Sequence, residues 1–124
     1  MKKALIFDLD DTLYPTRSVA DDMYAELYTL ISKHVSEEVL QHVREDILTT
    51  PFQTLADRYA LNKDLKEAGL QLCLNMDYTG SMETFPDYDL AMDNNADKFL
   101  VTAGYTKLQK SKIRQLGIAK DLKK

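Results

Sequence analysis

The run Ala4-Leu5-Ile6-Phe7 is continuously apolar and stops abruptly at Asp8, Asp10 and Asp11. A short run without polar alternation that ends in carboxylates reads as a fully buried parallel strand, delivering residues to a crevice at the carboxyl edge of a sheet. The pattern predicts a first strand over residues 3–7. Its grammar repeats far along the chain, where Phe99-Leu100-Val101 is a second short apolar run that ends at Thr102-Ala103-Gly104.

Between these runs lies helix grammar with no strand signal. Val19, Met23, Leu27, Leu30, Ile31 and Val35 recur at spacings of three and four, with Ser18 placed as N-cap and Asp21 and Asp22 in the first turn. The spacing predicts an amphipathic helix over 19–34. Ser36-Glu37-Glu38 reads as a fresh helix start, with Val39, Leu40, Val43 and Ile47 as its apolar stripe. Thr50-Pro51 reads as a cap followed by proline at the first helical position, opening a helix that buries Phe52, Leu55, Ala56 and Tyr59. A fourth helix over 63–74 is expected to bury Leu65, Ala68, Leu72 and Cys73, with Gly69 as a weak spot. After a loop around Tyr78-Thr79-Gly80 and Phe85-Pro86, a short helix near 89–95 is expected, and a last helix over 106–116 carries Leu108, Ile113 and Leu116 on one face. Gly117 stops it as a C′ residue, and Lys120 to Lys124 form a charged tail. The chain thus divides into a helical module over 15–75, inserted between a core formed by 1–14 and 76–124.

A chain of 124 residues holds one ordinary domain, or one domain with a small inserted module. Its net charge of -4 offers no basic footprint, so neither nucleic acid nor a membrane surface is expected as a partner. Cys73 is the single cysteine, which excludes an intrachain disulfide and a cysteine-based zinc site and predicts a reduced, buried thiol. Met1-Lys2-Lys3 before the apolar run looks superficially like a secretory leader, but carboxylates arrive where a leader needs roughly 7–15 apolar residues. A cytoplasmic protein is expected.

Asp8 and Asp10 directly after a buried strand must share a crevice. Close carboxylates raise one another's pKa, so such pairs persist where a cation neutralises them, and an all-oxygen environment favours Mg2+ over zinc or copper. One carboxylate can then attack phosphorus, while its neighbour two residues on protonates the leaving oxygen and later activates water. Thr12 can add a hydroxyl to the loop. Taken alone, a D-x-D triplet is more often a solvated acidic loop.

The whole string Ile6-Phe7-Asp8-Leu9-Asp10-Asp11-Thr12-Leu13 resembles the first motif of the haloacid dehalogenase (HAD) superfamily, and Tyr14-Pro15 after it looks like the members similar to pyrimidine 5′-nucleotidases. Phe99-Leu100-Val101-Thr102-Ala103-Gly104 resembles that superfamily's second motif. The resemblance implies an α/β fold, a Rossmann-like (HAD-like) parallel-sheet core with an inserted helical cap at 15–75. It implies that Asp8 is the nucleophile that becomes an aspartyl phosphate, and that Asp10 is the general acid and base. It also implies a Mg2+ cofactor held by Asp8 and Asp10, the latter through its main-chain carbonyl. Leu9 would offer its backbone N–H, and Thr12, Thr102 and Ala103 would complete the phosphate-binding set. Aspartate rather than tyrosine at position 10 implies phosphoryl transfer rather than carbon–halogen cleavage, because only ester hydrolysis needs that proton donor. The implied substrate is a small phosphorylated metabolite or nucleotide.

The superfamily's later motifs, a Lys or Arg and then an acidic pair after a third strand, have no counterpart before Lys124, and Asp121 stands alone in the tail. Lys107 and Lys110 lie soon after Thr102 and are candidate stand-ins for that cation, but on the helix after the second strand they read more simply as a solvated helix face. The core is therefore expected to be truncated, and two parallel strands with open edges make a poor sheet. Three outcomes are compatible with this: a fragment or prematurely ended product, a homodimer paired through open sheet edges or the cap, or a non-catalytic family member that acts as a binding protein. His34 and His42 read as surface or packing residues, and Asp93-Asn94-Asn95-Ala96-Asp97 as a solvated turn. Tyr14, Tyr24, Tyr28 and Tyr59 can line a pocket under the cap, though helix packing accounts for the last three more simply.

Overall fold

The computed structural model describes residues 3–123, so Met1 and Lys2 of the leader-like start and Lys124 of the charged tail lie outside the described residues. Strands β1 (Ala4–Phe7) and β2 (Asp97–Leu100) pair in parallel, with Ala4 opposite Asp97 and Phe7 opposite Leu100. The second strand begins two residues before and ends one residue before the predicted run Phe99-Leu100-Val101. On the edge of β2 away from β1, the chain returns at Lys123, whose N–H donates to the Lys98 carbonyl at 2.7 Å and forms a single parallel bridge to Phe99.

The expectation of a fully buried first strand is not met. Leu5 is 37% and Ile6 71% exposed, with Val101 just beyond β2 at 64%. Phe7 and Leu100 pack on the apolar core. Side chains alternate across a strand, so Ile6 faces the opposite side, which no described element covers. An unbroken apolar run shows that both faces suit burial; it does not show that one chain covers both.

The helical run is α1 (Ala20–Met23), α2 (Ala25–Ser32), α3 (Glu37–Asp46), α4 (Phe52–Arg58) and α5 (Lys63–Asn75). The single helix predicted over 19–34 is instead two, separated at Tyr24 (φ -100°, ψ 13°), whose ring packs between two hydrophobic clusters. Ser18 is not its cap: it closes a 3-10 turn, Thr16–Ser18, by donating its hydroxyl to the Pro15 carbonyl at 2.5 Å. Ser36 does cap α3, accepting the Val39 N–H at 3.2 Å, and Asn62 caps α5, accepting the Leu65 N–H at 2.8 Å. Ahead of α4, Pro51 itself is the extended N-cap residue and Thr50 lies outside the helix. In α5 Leu65 and Cys73 are buried and Leu72 is half-buried as expected, but Ala68 is exposed and Gly69 is buried in its place. The exchange has a steric cause: a Cβ on Gly69 would come within 2.6 Å of the Phe52 ring Cε2, so only glycine lets α5 approach α4 this closely.

Helix α6 (Tyr88–Met92) precedes β2, and α7 (Thr106–Leu116) follows it, ending as expected at Gly117 in the left-handed region (φ 69°). Two clusters form the core. One gathers Leu9, Leu13, Tyr14, Met23, Tyr78 and Leu108 around the sheet. The other gathers Leu27, Ile31, Val43, Phe52, Leu55 and Cys73 within the helical run. Cys73 is 1% exposed, and burial pushes its thiol up to about 12, in line with an unreactive packed cysteine. Among the described residues no helix is long and apolar enough to cross a membrane.

Candidate active site

The first loop is fixed from within. Leu9 is fully buried, and its carbonyl accepts the N–H groups of Thr12 at 3.2 Å and Leu13 at 3.0 Å, closing a tight turn through Asp11 at φ 57°. Aspartate tolerates that left-handed conformation better than most residues. The Asp11 carboxylate then accepts the Thr16 N–H at 2.9 Å and hydroxyl at 2.8 Å, anchoring the start of the helical run to the loop. Anchoring Leu9 as a core plug leaves Asp8 and Asp10 on the outside of the turn.

A cavity of about 680 Å³ opens there, lined by Asp8, Asp10, Asp11, Thr102 and Ala103 and by Ile47, Leu48 and Phe52 of the helical run. Of the residues singled out in the sequence, four therefore meet at one opening: Asp8, Asp10, Thr102 and Ala103. Leu9 stands beneath the floor, and its N–H is taken by the Asp8 carboxylate at 2.9 Å. Thr12 is exposed and does not line the cavity.

Asp10 is the most heavily bonded group of the site. One carboxylate oxygen accepts the Tyr14 hydroxyl at 2.5 Å and the Lys112 ammonium at 2.8 Å, and the other accepts the Gln109 amide at 3.1 Å. Burial alone would raise its pKa. The charge of Lys112 and the three hydrogen bonds outweigh that and hold the carboxyl below its ordinary 3.8. The same contact acts on Tyr14 in the other direction, since burial and the neighbouring Asp10 charge keep its hydroxyl protonated well above its ordinary range.

Sequence reasoning passed over Lys112 and Gln109 and considered Lys107 and Lys110 instead, which are exposed. The signal was present: Lys112 lies four residues after Leu108, on the apolar face of α7, where a lysine is out of place unless it is paired. Its side chain is 5% exposed and its ammonium lies 5.8 Å from the centre of the Tyr14 ring. Removing it leaves Asp10 partly buried and unpaired. Lys112→Met is expected to cost about 1–3 kcal/mol at neutral pH, toward the lower end for buried pairs because the Asp10 side chain is 31% exposed. A depressed folded pKa contributes stability above the unfolded value of 3.8 and loses it as pH falls through the folded value. The difference between wild type and Lys112→Met should therefore narrow in acid, as measured by urea unfolding at neutral and acid pH; a constant difference would contradict the ion pair.

Among the described residues no group of three or more His, Cys, Asp or Glu side chains converges on a metal position. The Asp10 carboxylate is already engaged by three donors, whereas Asp8 is exposed, lines the cavity and accepts the Leu9 N–H through one oxygen. This set fits an ion that takes one or two oxygens from the protein and the rest from water and phosphate, the usual habit of Mg2+. His34 and His42 are exposed, His42 stacking on Tyr59 at 6.2 Å, and Lys98 closes the 93–97 turn by donating to the carbonyls of Asn94 and Ala96 at 3.0 and 2.9 Å. Tyr24 lines the cavity, whereas Tyr28 lies under Arg44 in the helical core.

No protein-family model matches the sequence, and no curated protein matches it. Among solved structures, the chain is similar to the L-2-haloacid dehalogenase of Xanthobacter autotrophicus at 17% identity and a TM-score of 0.47, covering 98% of this chain and 55% of that one. It is similar to a haloacid dehalogenase-like hydrolase of Xanthomonas campestris at 17% identity and 0.48, covering 98% and 59%. It is also similar to a HAD-family hydrolase of Bacillus subtilis solved with magnesium, at 16% identity and 0.47, covering 98% and 61%. The chain spans less than two thirds of the length of each. The solved structures it is similar to are thus haloacid dehalogenase-like hydrolases.

Proposed function

We propose that the chain carries the phosphoryl-transfer site of a Mg2+-dependent phosphomonoesterase acting through an aspartyl phosphate on a small phosphorylated metabolite or nucleotide. The observation that carries this reading is the meeting of Asp8, Asp10 and Thr102, from loops after two different strands, in the lining of one cavity. The match of residues 6–13 to the first HAD motif supplies the roles. A carboxylate oxygen of Asp8 attacks phosphorus as the bond to the leaving oxygen breaks, and that oxygen takes a proton from Asp10. Asp10 is held in its carboxylate form at rest, so it takes that proton up from solvent in the open cavity beforehand, and the carboxylate left after donation later withdraws a proton from the water that hydrolyses the aspartyl phosphate. The Thr102 hydroxyl binds a phosphoryl oxygen. Mg2+, held by the Asp8 carboxylate and the Asp10 main-chain carbonyl, would supply positive charge against the phosphoryl oxygens. Measurement of phosphate release from an aryl phosphate tests the reading: turnover should require Mg2+ and stop on chelation. Metal-independent release, or none from the gene product, would sink it.

A second reading, an interaction protein or homodimer, is favoured by the exposed Ile6 and Val101 on the uncovered face of the sheet. Sedimentation over a range of concentrations should then show association that Ile6→Lys abolishes, and a strict monomer throughout would end this reading.

A further inference from the structure

Gln109 joins the two loops of the site through a single atom. Its side-chain nitrogen lies 3.1 Å from a carboxylate oxygen of Asp10, 2.8 Å from the Thr102 hydroxyl and 3.0 Å from the Ala103 carbonyl. A carboxylate and a carbonyl only accept, so the group facing them is the amide nitrogen and not its oxygen, and its two hydrogens serve the three acceptors with one of them shared. Gln109 is 6% exposed although it is polar. The space beside it exists because residue 104 is glycine: at φ +128° a Cβ there would stand 3.1 Å from the Gln109 amide carbon.

We propose that Gln109 is a positioning residue that couples the first loop to the second, holding Asp10 at a fixed distance from Thr102 and setting the direction of the Thr102 hydroxyl. An NH2 group can only donate, so the Thr102 oxygen must accept from it, and the hydroxyl hydrogen is left to point elsewhere. Among the described residues its acceptor is the Ala103 carbonyl at 3.3 Å, a weak bond at the edge of hydrogen-bonding distance. A phosphoryl oxygen entering the cavity would draw that hydrogen away at little cost. Lys112, one helical turn from Gln109 on α7, holds the same carboxylate from its other oxygen, so the rigid helix fixes both loops together.

The inference rests on the phosphoryl-transfer reading for its consequence in catalysis but not for its geometry, and the experiment separates the two. In isotope-labelled full-length chain, the Gln109 side-chain amide resonances should move in both Asp10→Asn and Thr102→Val. The Asp10 carboxyl carbon should shift in Thr102→Val, and this response should vanish when Gln109→Met is added. Independence of the Asp10 signal from Thr102 in the otherwise wild-type chain overturns the coupling, whether or not the protein is a phosphatase. If aryl phosphate is turned over, Gln109→Met, close in size and unable to donate, should lower kcat by about 10–100-fold with KM changed less than about threefold. Gln109→Glu, which keeps the shape but presents an acceptor, should fall at least as far. Unchanged kcat in both, with Asp8→Asn inactive, removes the positioning role and leaves the function standing.

Discussion

Asp8→Asn should reduce Mg2+-dependent aryl phosphate hydrolysis by at least about 10³-fold while leaving the fold intact. Asparagine has no anionic oxygen with which to attack phosphorus, so the loss falls on the covalent step and not on substrate binding. Structurally the change is mild. Asp8 is exposed, and among the described residues its side chain accepts the Leu9 N–H at 2.9 Å, which an asparagine carbonyl reproduces. The unfolding midpoint in urea should therefore stay close to that of wild type. Preserved stability with lost turnover identifies Asp8 as the nucleophile; preserved turnover shows that another group performs the chemistry.

The second large effect lies in the helical run. Phe52→Ala should destabilise the chain by about 3–5 kcal/mol, because Phe52 is 1% exposed and fills the space left open at Gly69. That is a large part of the total stability of a domain this size, about 5–15 kcal/mol. Gly69→Ala should also destabilise, by about 1–3 kcal/mol of overpacking against the ring less up to about 1 kcal/mol of gained helix propensity. The two are coupled, and their combination has a distinctive sign. Once Phe52→Ala has removed the ring, Gly69→Ala should become stabilising, since the methyl group enters the vacated space and the propensity gain remains. A double-mutant cycle by urea unfolding measures this, and a Gly69→Ala cost that persists without the ring contradicts the close α4–α5 contact.

The helical order of the chain was legible where the deciding forces are local. Ser36 as a cap, Gly117 as a left-handed stop and the full extent of the last helix follow from contacts within a turn of chain. Pro51 and Ser18 were misplaced by a residue or more because several candidates compete for each helix start, and the neighbouring packing selects one. Tyr24 interrupts a run whose spacing is continuous, since its ring is drawn between two clusters built from residues far away in sequence. Gly69, a weak spot by propensity, is buried because α4 requires a bare surface there.

The candidate site divides along the same line. By itself the sequence determined that carboxylates follow the first strand and that a hydroxyl follows the second, because an apolar run ending in polar residues is a local pattern. Only the tertiary structure decided that Ile6 lies open, that Thr102 shares a cavity with Asp8, and that α7 turns Gln109 and Lys112 onto Asp10. The physical reason is that the burial of a polar side chain on an otherwise solvated helix depends on which partner stands opposite, and here that partner is about a hundred residues away in the chain.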